Sequence, residues 1–234
     1  MLLTVFESDL LYQLQEQNLF LHSTLFFQQQ MVKAGGLLAW MGCYLTQFFY
    51  YPLLGAGILC LLWAFLMWMM QRTFRLADQW LTLIPVVSLL LTIVTLGYWV
   101  YYLKLPGHAF NATIGTIIAI GLVWGYKQMP RQYGLSAIYI FLTTSLGYLL
   151  FGVYALGAAV LMSVMALREG KQRLADTIVA VVTIIAVPIV SYYYLFHETN
   201  IVNIYWAALP VFCHQGNAIG VTTFPMSFSL QALY

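Results

Sequence analysis

Few residues in this chain could do chemistry. Its 234 positions hold seven acidic side chains, four histidines and three cysteines. Four of the carboxylates, Glu7, Asp9, Glu16 and Glu198, fall outside the apolar windows and on one predicted side of a membrane. A carboxylate placed there could act as a general base towards an acceptor hydroxyl, or hold a metal. Glu16 is the catalytic candidate of choice, because it sits among Gln15, Gln17 and Asn18, whose amides both donate and accept. The plainer reading, a charge on the wet face of an interfacial helix, is the one the pattern favours. Glu7 and Asp9 are weaker candidates, being close to the first residue.

The remaining reactive side chains form no motif. His22, His108, His197 and His214 are far apart, with no HxxH or HxxxH spacing, so no metal site is predicted. His197-Glu198 reads as a polar cap. Cys60 lies in the middle of an apolar window and reads as a small hydrophobe. A Cys43–Cys213 disulfide is allowed but has no spacing argument behind it. Asn111-Ala112-Thr113 fits the N-glycosylation pattern at a predicted membrane boundary. There is no nucleotide loop, nucleophile elbow or kinase-like set, and no cofactor is implied. Net charge is only +2, without a basic run, which argues against nucleic acid as a partner.

The elements that must position these groups are set by composition. The chain is 62% hydrophobic and 7% charged, against about 45–50% and about 25% in soluble domains. A globule of that make-up would expose apolar surface and aggregate, whereas a bilayer accepts it. The predicted fold class is all-α, a polytopic transmembrane bundle of about six spans with the lipid bilayer as its partner. The spans are Leu53–Met70, Gln79–Tyr101, Phe110–Tyr126, Gly134–Leu150, Val153–Leu167 and Leu174–Phe196. The fourth and fifth meet near Phe151–Gly152 without a polar loop. Read as one helix, they would run roughly 50 Å, too long for a single crossing, so a tight hairpin is expected.

Charge placement orients the bundle. Seven of the nine basic residues, Arg72, Arg75, Lys127, Arg131, Arg168, Lys171 and Arg173, follow the first, third and fifth spans, and only Lys33 and Lys104 fall on the other side. The positive-inside rule then places loops 72–78, 127–133 and 168–173 in the cytoplasm of a bacterial inner membrane. Residues 1–52 become an exterior interfacial segment, 53–196 the bundle and 197–234 an irregular exterior tail. An exterior stretch of fifty residues with no signal peptide ahead of it leads to the expectation of a longer parent with an earlier helix. No span carries an ionisable residue at its middle, and Asp176 lies near the cytoplasmic end of the last. That lowers the expectation of an ion-coupled transporter. Pro85 and Pro188 are expected to kink their spans, and Gly115, Ala119, Ala155, Ala158 and Ala159 to permit close helix contact.

The exterior segment carries the most pattern. Leu10, Leu11, Leu14, Leu21 and Leu25 alternate with glutamines at roughly helical spacing, as in an amphipathic interfacial helix. Its amides could meet a hydroxyl-rich ligand, but solvation explains them more simply. Ala34-Gly35-Gly36 then breaks the chain. Leu37–Tyr51 is short for a span, and counting it as one would invert the basic loops, so a re-entrant or interfacial helix is predicted. Thr46 and Gln47 within it would need partners if buried.

Along this segment the chain resembles an uncharacterised family of multi-pass membrane proteins from Bacteroides-type bacteria. The residues that carry the likeness are Gln17-Asn18-Leu19-Phe20, Gly35-Gly36-Leu37, Tyr44-Leu45-Thr46-Gln47-Phe48-Phe49-Tyr50-Tyr51-Pro52 and Gly55-Ala56. Ala34 and Tyr44 depart from the family pattern, which has Pro and Phe there. The resemblance implies a longer protein and no assigned activity. The layout is also similar, more loosely, to membrane glycosyltransferases that use lipid-linked sugar donors. That likeness implies a lipid-linked or hydroxyl-rich ligand at the exterior face. Three functions stay open: a multi-pass protein working with partners, part of such a glycosyltransferase, and a permease-like piece for an uncharged solute.

Overall fold

The computed structural model describes residues 15–16, 20–74, 108–129, 134–169, 174–196 and 204–205. Among them the chain is all-helical, with seven helices and no strand. These are α1 (Thr24–Met31), α2 (Gly36–Thr46), α3 (Pro52–Phe74), α4 (His108–Gln128), α5 (Leu135–Phe151), α6 (Val153–Arg168) and α7 (Leu174–Tyr194). A 3-10 turn, Gln47–Tyr50, joins α2 to α3.

Local chemistry explains the boundaries. Ser23 caps α1, its Oγ accepting from the Phe26 N–H at 3.1 Å. This cap starts a fresh eight-residue helix where the sequence pattern suggested one running on from Leu10. Tyr51, ahead of a proline, is forced into extended backbone at φ −111°, and Pro52 opens α3 at the position where its missing N–H costs nothing. Gly152, at φ 63° and ψ −134°, ends α5 and starts α6 in one residue. The expected tight hairpin is therefore present, turned at a residue whose lack of a Cβ permits that backbone.

Among the described residues two helices, α3 and α7, are long and apolar enough to cross a membrane; α5 and α6 are apolar but have 17 and 16 residues. This is fewer than the six expected crossings. The second, Gln79–Tyr101, lies outside the described residues. The third became α4, of 21 residues, whose Asn111, Thr113 and Thr116 make it more polar. The Asn111-Ala112-Thr113 pattern is helical, and Thr113 is buried, accepting from the Trp63 indole at 3.4 Å.

The helices meet at two ends. At one, Phe49 stacks on Phe110 at 5.1 Å, and Ala34, Tyr148, Leu156 and Phe196 form one buried cluster. At the other, Tyr126, Ser136 and Asp176 converge, and the Lys127 ammonium donates to the Thr73 carbonyl. We call these the Gly152 end and the Asp176 end. It follows that α3 and α4 run parallel, and that α5, α6 and α7 alternate. The core is layered along α6, which packs on α4, α5 and α7 through buried Ala155, Ala158, Ala159, Met162 and Ala166. Gly115 of α4 receives the Tyr154 ring: a Cβ there would lie 2.5 Å from it. Pro188 is inside α7 and buried, as expected; Pro85 lies outside the described residues.

Candidate functional site

At the Gly152 end, α1 and α2 form a compact unit. Gly35 adopts φ 81°, a left-handed backbone that glycine enters without a Cβ clash. Its N–H is thereby aimed at the Leu149 carbonyl, 3.1 Å away at the end of α5. That carbonyl belongs to the last turn of a helix, where backbone acceptors lack intrahelical partners. Gly36 lies so close to the Gln30 carbonyl that a Cβ would overlap it. Residue types at these two positions therefore fix how α1 turns back on α2.

Rings cover one side of the unit. Phe20 sits at the centre, edge-on to His22, Phe26, Trp40 and Tyr44 at 4.8, 5.6, 5.3 and 5.4 Å. Trp40 and Tyr44, one helical turn apart, are parallel at 6.4 Å. Beside them α1 exposes Gln28 and Gln29 to the outside. The two polar residues that needed partners, one in α2 and one in the turn after it, find them locally. Thr46 Oγ1 donates to the Gly42 carbonyl at 2.7 Å and Gln47 Nε2 to that of Cys43 at 3.3 Å. The Gln30 Oε1 atom is buried and has no hydrogen-bond partner among the described residues. Burial pushes the Lys33 ammonium below its ordinary pKa, with the Cys43 sulfur acting in the opposite sense. The same burial drives the Cys43 thiol up to about 12.

Among the described residues, the candidates read from sequence are not brought together. Glu16 is exposed in helical backbone. His22 is exposed too, and its ring is engaged with Phe20 and Tyr44. Among the described residues no three histidine, cysteine or carboxylate side chains come together as a metal site would require. Glu7, Asp9, His197, Glu198, His214, Cys213 and the His108 side chain lie outside those residues, so the Cys43–Cys213 pairing does too. Cys43 is a buried free thiol, and Cys60 is exposed on α3.

The densest polar arrangement lies at the opposite end. Asp176, 3% exposed, is the most buried charged residue described. Its Oδ2 accepts from the Tyr126 hydroxyl at 3.0 Å and its Oδ1 from the Ser136 hydroxyl at 2.8 Å. One carboxyl group thus joins α4, α5 and α7. Alongside, the Tyr139 hydroxyl fits against Gly125 and donates to the Leu122 carbonyl at 3.0 Å. The sequence placed Asp176 near a helix end but gave no sign of its partners, which are 50 and 40 residues away.

A family model described as a family of unknown function, DUF6057, matches residues 2–230. The chain belongs to that family. No curated protein matches it, and no solved structure does. The two polar regions of this DUF6057 chain differ in kind. The Asp176 group has hydroxyl donors on both oxygens and works as an internal tie between helices. The α1–α2 unit presents the Phe27 and Tyr44 rings and the Gln28 and Gln29 amides at its surface.

Proposed function

We propose that this DUF6057 chain is a multi-pass protein of the bacterial inner membrane, with its Asp176 end in the cytoplasm and the α1–α2 unit at the outer interface. One observation carries the reading: three of the four described basic residues gather at the Asp176 end, and exposed aromatic rings stand at both ends of α3. Arg72, Lys127, Arg168, Glu169 and Asp176 all sit at the Asp176 end. Tyr44, Tyr50 and Tyr51 are exposed at the other, at 41%, 57% and 65%. Trp68, stacked on Phe65 and covered by the Arg72 guanidinium at 5.6 Å, marks the Asp176 end of α3. From Tyr51 to Trp68 is about 26 Å of helix, close to the hydrocarbon thickness of about 30 Å between aromatic belts. Between them α3 exposes Leu53 at 80% and Leu61 at 71%, a surface suited to lipid. The parallel α3 and α4 need a return crossing between them, which the apolar stretch Gln79–Tyr101 would supply.

The test is cysteine labelling in a Cys-free background. An impermeant maleimide on intact spheroplasts should modify Tyr51→Cys and leave Glu169→Cys untouched until the membrane is opened. Labelling of Glu169→Cys in sealed cells would reverse the orientation, and equal labelling of both would remove the membrane reading.

A second reading is favoured by the α1–α2 unit itself. Short helices standing ahead of a span, with amides and rings on their surface and an exposed carboxylate upstream, suit the handling of a lipid-linked sugar. In that reading Glu16 is the base towards the acceptor hydroxyl. Glu16→Gln should then abolish the cell-envelope glycan that depends on the gene, with the protein still inserted. Unchanged glycan would end this reading and leave the topology intact.

A further inference from the structure

The last turn of α5 holds two pieces of chain that belong to none of the long helices. On one side the Leu149 carbonyl accepts the Gly35 N–H at 3.1 Å. On the other, the Tyr148 hydroxyl donates to the Ile204 carbonyl at 2.6 Å. Both attachments share a wall: Ala34, from the α1–α2 turn, and Phe196, which follows α7, lie in one buried cluster with Tyr148 and Leu156. Ile204 is itself 4% exposed. A second hydroxyl fastens the same piece of chain, Tyr205 donating to the Ile185 carbonyl at 3.0 Å. That carbonyl lies in the turn of α7 before Pro188, next to Ile184, whose own intrahelical donor the proline removes.

We propose that this turn of α5 is a mechanical link, through which the α1–α2 unit and the segment around Ile204–Tyr205 hold or release together. The Leu149 and Ile185 carbonyls sit on helices and are rigidly placed acceptors, so each attachment is made in one geometry or lost. Tyr148 carries a hydrogen bond on its hydroxyl, and its side chain is part of the same buried cluster as Ala34 and Phe196. Release of Ile204 lets that ring move, which unseats Ala34 and the adjacent Gly35 N–H. A ligand that displaces α1–α2 would by the same coupling loosen the segment after α7, since linkage between two sites is reciprocal. The link is one of packing and stands whichever side of a membrane this end meets.

Hydrogen exchange on the full chain in detergent tests it. In Tyr148→Phe, exchange should rise about three- to tenfold both in peptides covering 32–40 and in those covering 204–205, the size expected for one lost hydrogen bond. Peptides at the Asp176 end should not change. Tyr205→Phe leaves the Tyr148 ring untouched and should also raise exchange at 32–40. A rise confined to 204–205 in either variant would overturn the link. So would a uniform rise at both ends, which would report general loosening.

Discussion

Tyr126 and Asp176, fifty residues apart, meet at 3.0 Å inside the bundle, the phenol donating to a carboxyl oxygen that solvent barely reaches. The Ser136 hydroxyl takes the other oxygen at 2.8 Å. Removing one donor leaves a buried acceptor short of a partner, so Tyr126→Phe is expected to lower stability by about 1–3 kcal/mol. Denaturant unfolding in micelles would measure this. A change under about 0.5 kcal/mol would show that the tie contributes nothing.

Two glycines give an internal comparison. A Cβ at Gly115 would lie 2.5 Å from the Tyr154 ring, while at Gly57 nothing lies within 4 Å. Gly115→Ala should therefore cost about 1–3 kcal/mol through forced repacking of α4 against α6. Gly57→Ala should be neutral, or stabilising by up to about 1 kcal/mol from helix propensity. Thermal melts of the pair decide it, and equal effects would contradict the packing of α6 on α4.

The α1–α2 turn depends on backbone shape. Gly35→Ala would place a side chain at φ 81°, a conformation that costs an L-residue about 1–2 kcal/mol. Gly36→Ala should be worse, because its Cβ would overlap the Gln30 carbonyl. Limited proteolysis should show faster cleavage near residues 30–36 in both variants. Cleavage at the parental rate would mean that the turn is not held as described.

Cys43 provides a pH test. Burial raises its thiol from 9.0 to about 12, so the reactive thiolate is scarce at neutral pH. Alkylation of the folded protein should be negligible at pH 8 and climb with pH, whereas denatured protein should react at once. The linkage has a definite sign. Unfolding releases the proton more readily, so the contribution of the neutral thiol is full below pH about 9 and declines between there and about 12. Rapid alkylation of native protein at pH 8 would show that Cys43 is not buried.

Local pattern was enough for the all-helical class, because long apolar windows must satisfy their backbone groups within helices. It also determined the ends of most elements, since Pro52, Gly152 and the basic residues act through their immediate neighbours. The hairpin at Gly152 was legible for that reason, and so was the shortness of the helix within Leu37–Tyr51, which ends at Thr46. The amide-rich stretch was legible only in part: helical spacing could not show that Ser23 restarts the helix.

What each polar group faces was set by packing between helices. Asp176 finds Tyr126 and Ser136, Leu149 finds Gly35, and Tyr148 finds Ile204, all across long separations in the chain. Periodicity and composition are local quantities and carry no term for a partner on another helix. The structure also left Glu16, the choice made from its amide neighbours, on an exposed piece of helix, and turned attention to the α1–α2 surface beside the end of α5. Side-chain chemistry nominated Glu16, whereas the packing of α4, α5 and α7 brought together Tyr126, Ser136 and Asp176.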